Sequence, residues 1–167
     1  MLKFSLRTML FITLITSLIG CGFHLRGVAD VSFKSIFIQG NTLVISKNLN
    51  KSLDTNGVKV LGSAEGADLL LEMVGEESEK RILSLAGTGT VNEFELYYRV
   101  HYRTKLANSG LAGAELWSQV QTVEARRDFT YSDANLLAKQ GEEKRLNENM
   151  QQDVISNLMR RLSALKK

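Results

Sequence analysis

The sequence predicts an α/β two-layer sandwich, with two helices packed on one face of a mostly antiparallel, mixed four-stranded sheet. Three patterns carry that expectation. Apolar residues occupy every second position from Phe94 to Tyr102 and return at Leu106, the period of a half-buried antiparallel strand. Ile45, Leu49 and Leu53 recur every fourth position, as do Leu146, Met150, Val154, Leu158 and Leu162, and each series is the stripe of an amphipathic helix. Two such helices laid on one side of an antiparallel sheet bury the apolar side of every element.

In chain order, Phe33–Ile38 is a short apolar run that suits a buried strand, closed by the turn signal Gly40-Asn41. The Ile45-Leu49-Leu53 helix ends at Asn56-Gly57, where glycine takes the left-handed position past a helix C-terminus. Val58–Leu61 offers a further short edge strand. Ala67–Val74 is rich in leucine, Gly75–Lys80 is polar and acidic, and Arg81–Leu85 returns to apolar residues. This reads as one long bent strand or a bulged pair. Ala86–Thr90 is a flexible turn. Within the alternating strand, Glu93, Glu95, Arg99, His101, Arg103 and Lys105 fill the odd positions, with Tyr97 the aromatic exception. Asn108-Ser109-Gly110 and Gly113 turn the chain into a returning strand, Ala114–Phe129. Its apolar phase changes after Val120, which a bulge or twist near Gln121–Thr122 would explain. Asp133 is placed to cap a short first turn through Leu136-Leu137-Ala138, and Gly141 to interrupt it before the last helix. Arg160, Arg161, Lys166 and Lys167 sit at that helix's C-terminal end, where cations favour the macrodipole.

Ahead of this domain stands a different kind of segment. Lys3 and Arg7 precede the apolar run Met9–Ile19, followed by Gly20 and the chain's single cysteine, Cys21. A basic n-region, a short h-region and small residues at the cut define a secretory signal peptide. Cysteine directly after Leu18-Ile19-Gly20 makes it a lipoprotein signal. The expectation is cleavage before Cys21, acylation of its thiol and new α-amine, and anchoring of residues 21–167 by lipid. The apolar run is about half the roughly 20 residues of a spanning helix. Gly22, rather than an aspartate, after the cysteine favours the outer membrane, periplasmic side.

Loss of residues 1–20 leaves 147 of 167 residues, the size of one domain with room for a core. It also removes Lys3 and Arg7, so that the 21 basic side chains become 19 against 18 acidic ones, a net charge of +1. A near-neutral domain is a poor partner for nucleic acid. The chain has no proline and hence no proline-rich linker, and no cysteine is left for a disulfide.

No catalytic constellation emerges. Glu76, Glu77 and Glu79 lie together without a histidine or nucleophile beside them. His24 and His101 are far apart and lack partners at metal-ligand spacing, so neither a metal nor a cofactor is expected. Gly87-Thr88-Gly89-Thr90 lacks the Gly-Lys-Ser/Thr ending of a phosphate loop.

The string Cys21-Gly22-Phe23-His24-Leu25-Arg26 resembles the mature N-terminus of the LptE family of lipopolysaccharide-assembly lipoproteins. Mature length, the early strand–helix unit, the long middle hairpin and the C-terminal helix are similar as well. So is Arg127-Asp128-Phe129, followed by Lys139 in Asn135-Leu136-Leu137-Ala138-Lys139. The resemblance implies a non-enzymatic plug and assembly factor inside the lumen of an LptD-like outer-membrane β-barrel, helping lipopolysaccharide reach the outer leaflet. It implies a lipopolysaccharide contact at Lys139, which residue chemistry alone reads as a solvated lysine. The family's second basic contact has no arginine here: its place falls near Gly87, and Arg81 lies several residues earlier. Tyr97, Trp117 and Phe129 are the aromatic candidates for a partner surface. Trp117, Gln119 and Gln121 are expected beside Arg99, His101, Arg103 and Lys105 on a basic, polar and aromatic outer face. The rival reading is a periplasm-facing structural lipoprotein of the envelope, independent of any barrel.

Overall fold

The computed structural model describes residues 31–107 and 116–165. The signal segment, Cys21 and the string after it lie outside the described residues, as do the turn at Asn108–Gly113, Ala114, Lys166 and Lys167.

The elements run β1 (Ser35–Gly40), α1 (Ser46–Thr55), β2 (Lys59–Leu61), β3 (Leu69–Leu85), β4 (Val91–Leu106), β5 (Gln121–Thr130), one 3-10 turn (Asp133–Asn135) and α2 (Leu136–Ser163). The sheet order is β2-β1-β3-β4-β5. β1 pairs in parallel with β2 and with the start of β3, while β3–β4 and β4–β5 are antiparallel. Both helices pack on one face of this mixed sheet, as expected. The sheet has five strands rather than four, because Lys59–Leu61 pairs along β1 as a parallel edge.

α1 forms because Ile45, Leu49 and Leu53 share one face, and all three are fully buried. It ends in a Schellman motif. Gly57 N–H donates to the Asp54 carbonyl and Val58 N–H to the Leu53 carbonyl, both at 3.0 Å, with Gly57 at φ +73°. Val58 and Leu53 are both buried, which supplies the apolar contact of that motif. The turn leaving β1 is tighter still. Gly40 adopts φ +93°, and a Cβ there would lie 2.4 Å from the Met73 carbonyl oxygen of β3, so only glycine fits.

β3 is one strand with a bulge, not a pair. Leu69, Leu71 and Met73 point to the helices and are buried. The register shifts between Met73 and Gly75, leaving Val74 as the extra residue. From there the even positions, Glu76, Ser78, Lys80 and Ile82, oppose Val100, Tyr98, Leu96 and Phe94. β4 keeps its alternation throughout: Leu96, Tyr98, Val100 and Tyr102 are buried under α2.

Two expectations about the last third change. β5 begins at Gln121, so no bulge is needed; the phase changes because the residues just before Gln121 are not strand, and Val123, Ala125 and Phe129 then alternate regularly into the core. α2 runs unbroken from Leu136 through Gly141 to Ser163. A side chain at 141 would meet open space. Glycine costs only about 1 kcal/mol in an exposed helix interior, which good helix formers on both sides absorb.

Candidate functional site

The sheet face turned away from the helices is the expected polar, aromatic surface, and it is uncovered among the described residues. Its charges are nearly all answered from the neighbouring strand. Arg99 is the hub: its Nε donates to Glu124 on β5, and its Nη1 lies 3.0 Å from Glu79 and 3.8 Å from Glu77 on β3. Arg103 pairs with Glu72, and Arg126 lies 2.9 Å from the buried Glu95. His101 hydrogen-bonds Thr122 Oγ1 through Nδ1 at 2.8 Å and lies 3.4 Å from Glu77 through Nε2. The Glu79 carboxyl is held below its usual range, first by hydrogen bonds from Arg81 and then by those from Arg99. The guanidinium groups of Arg81, Arg99, Arg103 and Arg126 are pushed up. For Arg81, Arg99 and Arg103 the largest cause is the hydrogen bond each makes to a glutamate. Arg126 is raised chiefly by the nearby charges of Glu95 and Asp128. The face is therefore a balanced charge lattice rather than a basic one.

Tyr97 lies within this lattice between two guanidinium groups, Arg99 at 4.5 Å and Arg81 at 4.9 Å from its ring centroid. Its phenol is raised above the usual range, chiefly by a hydrogen bond to Glu95. Trp117 precedes β5 and receives Arg103 at 5.1 Å. One partner-surface candidate and one expected member of this face are elsewhere. Phe129 is 4% exposed and stacks on Phe94 at 5.8 Å on the helix side, so it belongs to the core, not to a partner surface. Gln121 also turns inward and accepts a 2.9 Å hydrogen bond from Tyr102 Oη.

Lys139 lies within α2, not on a loop ahead of it. Its ammonium pairs with Glu142 at 2.8 Å, one turn along the helix. Leu136 and Leu137 beside it are 44% and 84% exposed. The tip of the β3–β4 hairpin, at the same end of the molecule, exposes Ile82, Leu83 and Leu85. The opposite end holds Ser32, whose hydroxyl donates to the Leu165 carbonyl. Lys139, two exposed leucines and an apolar hairpin tip thus gather at the end farthest from the point where the chain enters β1.

The structure adds a residue at this end that sequence reasoning did not single out. Lys80 leaves β3 on the helix side, with its ammonium 4.2 Å above the Phe94 ring and 2.6 Å from Glu143 of α2. Arg81, its neighbour, points to the other face. Adjacent strand residues always take opposite faces; the bulge at Val74 decides that Lys80 is the one toward the helices, and no local pattern in Gly75–Lys80 announces it. Among the described residues, no group of three or more His, Cys, Asp or Glu side chains could hold a metal ion. No described helix is long and apolar enough to cross a membrane.

This architecture, helices on one face of a five-stranded mixed sheet with a long projecting hairpin, is shared by small bacterial lipoproteins. Uncharacterized lipoprotein B from Nitrosomonas europaea shares 37% identity over 86% of this chain and 91% of its own, with a TM-score of 0.70. Rare lipoprotein B from Shewanella oneidensis has the same fold at 23% identity, covering 78% of this chain and 94% of its own, with a TM-score of 0.67. So does a minor lipoprotein from Acinetobacter baumannii at 17% identity, covering 80% and 93%, with a TM-score of 0.62. Among curated proteins no sequence matches. The family model for LptE, lipopolysaccharide-assembly, matches residues 33–162, and the chain belongs to that family. It is a lipoprotein-family domain with a role in lipopolysaccharide assembly, in a family that is non-enzymatic.

Proposed function

We propose that this protein is an outer-membrane lipoprotein that binds lipopolysaccharide and seats within an LptD-like β-barrel, aiding delivery to the outer leaflet. Residues 1–20 are removed, Cys21 carries the diacylglycerol and N-acyl groups, and residues 21–167 form one periplasm-facing domain. The observation that carries the reading is the company Lys139 keeps. A cation beside exposed Leu136 and Leu137, at the same end of the molecule as an apolar hairpin tip, matches a ligand that bears phosphates and acyl chains together. The lattice of Arg99, Arg103, Glu72, Glu79 and Glu124 is the kind of polar surface that a barrel's hydrated lumen accepts without desolvating isolated charges. Tyr97 and Trp117 supply the aromatic contacts.

Lys139→Glu is expected to weaken lipopolysaccharide binding at matched salt while leaving the thermal melt unchanged. Equal affinity for wild type and variant would remove the contact. Purification of the tagged, acylated protein from outer membranes in mild detergent is expected to bring down a heat-modifiable β-barrel at one-to-one. Recovery of the acylated lipoprotein without a barrel would leave the independent structural role in front.

A further inference from the structure

The cations at the distal end are not free. Lys139 is held by Glu142 and Lys80 by Glu143, so two adjacent carboxylates on α2 each occupy one ammonium. Lys139 and Glu143 are one turn apart on the same helical face, which places the two ion pairs side by side. Lys80 differs from a surface lysine in what lies beneath it. Its ammonium is 4.2 Å from the Phe94 centroid, 5.3 Å from Phe129 and 5.9 Å from Tyr131. Those rings pack on one another, Phe94 on Phe129 at 5.8 Å and edge-on to Tyr131 at 5.2 Å, with Phe129 in the core. The aromatic faces position the ammonium whether or not Glu143 is present. Glu143 is itself part-exposed and lies on a stretch of α2 with no buried residue, so it is free to turn into water.

We propose that Lys80 is a second phosphate-binding cation beside Lys139, and that Glu142 and Glu143 mask the pair until a phosphorylated acyl amphiphile displaces them. The proposal rests on the lipopolysaccharide-binding reading above and assigns both a new contact and its regulation. The exchange trades one ion pair for another. A phosphate carries more negative charge than a carboxylate and offers more acceptor oxygens, so it competes well for an ammonium that the rings already hold. The displaced carboxylates are rehydrated. Exposed Ile82, cross-strand from Phe94, and Leu136 border the site where acyl chains leave the headgroup. Without anion, the masked lysines neither repel one another nor attract stray counter-ions.

The test uses the full acylated protein and phosphatidylcholine vesicles doped with diphosphoryl lipid A, compared with vesicles doped with the same lipid after dephosphorylation. Glu143→Gln is expected to tighten binding to the phosphorylated vesicles by about threefold, the scale of a half-exposed ion pair. Glu65→Gln, an equal charge change at an exposed site elsewhere, is expected to leave it unmoved. Lys80→Met, which keeps the stem packed on Phe94, is expected to abolish the gain from Glu143→Gln, and Lys80→Arg to retain it. Thermal melts of each variant report folding separately. A gain from Glu143→Gln that survives Lys80→Met, or no gain at all while Lys139→Gln weakens binding, would overturn this inference and leave the binding reading standing. Binding that ignores both the phosphates and Lys139→Gln would overturn the two together.

Discussion

The two halves of α2 are built for different work. Met150–Ser163 buries Met150, Val154, Ile155, Leu158, Met159 and Leu162. Leu136–Asn149 buries none of its described side chains, and its ties to the sheet include the Lys80–Glu143 ion pair. β3 divides in the same way at Val74, with Leu69, Leu71 and Met73 buried before it and no buried residue after it. Each buried side chain of the lower half is worth about 1.5–3 kcal/mol, whereas a half-exposed ion pair contributes about 0–1 kcal/mol. Stability is thus concentrated at the end where the chain enters, and the distal end keeps apolar and charged groups exposed for something other than folding.

The sharpest way to break the lower half is Leu158→Ala. Leu158 is fully buried, so the variant is expected to lose about 3 kcal/mol, read as a lower denaturant midpoint with unchanged slope. Gly40→Ala comes next. It forces an L-residue to φ +93° with its Cβ against the Met73 carbonyl, and about 2 kcal/mol is expected to be lost in the same measurement. On the upper half, Leu137→Gln is expected to change stability by less than about 0.5 kcal/mol. Amide exchange is expected to be faster across Leu136–Asn149 than across Met150–Ser163 in both proteins. A cost for Leu137→Gln as large as that for Leu158→Ala would erase the distinction.

The smallest effect separates the open sheet face from both. Glu79 has a folded pKa below its ordinary 4.5, so its contribution is present above that pH and is lost as pH falls through the lower folded value. Glu79→Gln is expected to flatten the acid limb of the stability–pH curve and leave the neutral region nearly unchanged. An unaltered acid limb would mean that the Arg81 and Arg99 contacts add nothing to folding.

Elements defined by local periodicity were legible in the sequence. The alternation of β4, the every-fourth-residue stripes of α1 and α2 and the glycine at the end of α1 each follow from a rule that spans a few residues. Features decided by distant partners were not. β2 is too short to be distinguished from a loop until β1 lies beside it. β5 begins where pairing with Tyr102 begins, and nothing at Gln121 itself marks that point. The open face read as basic because Arg99, His101, Arg103 and Lys105 share one strand, while most of the answering acids, Glu72, Glu77, Glu79 and Glu124, come from its neighbours. Phe129 was singled out with its segment, but which face it takes depends on where β5 starts. Lys139 was legible as a residue through resemblance; Lys80, its companion across the helix–sheet seam, depended on a bulge.

That bulge behaves like a frameshift. Strand side chains are written in a two-letter code, inward and outward, and Val74 inserts one letter. Downstream of it Lys80 is spelled inward and Arg81 outward, the reverse of what the register of Leu69, Leu71 and Met73 would dictate. A strand that kept Val74 but paired it in regular register, without the bulge, would exchange the two faces wholesale, with Glu77, Glu79 and Arg81 turned toward α2 and Lys80 stranded on the far side.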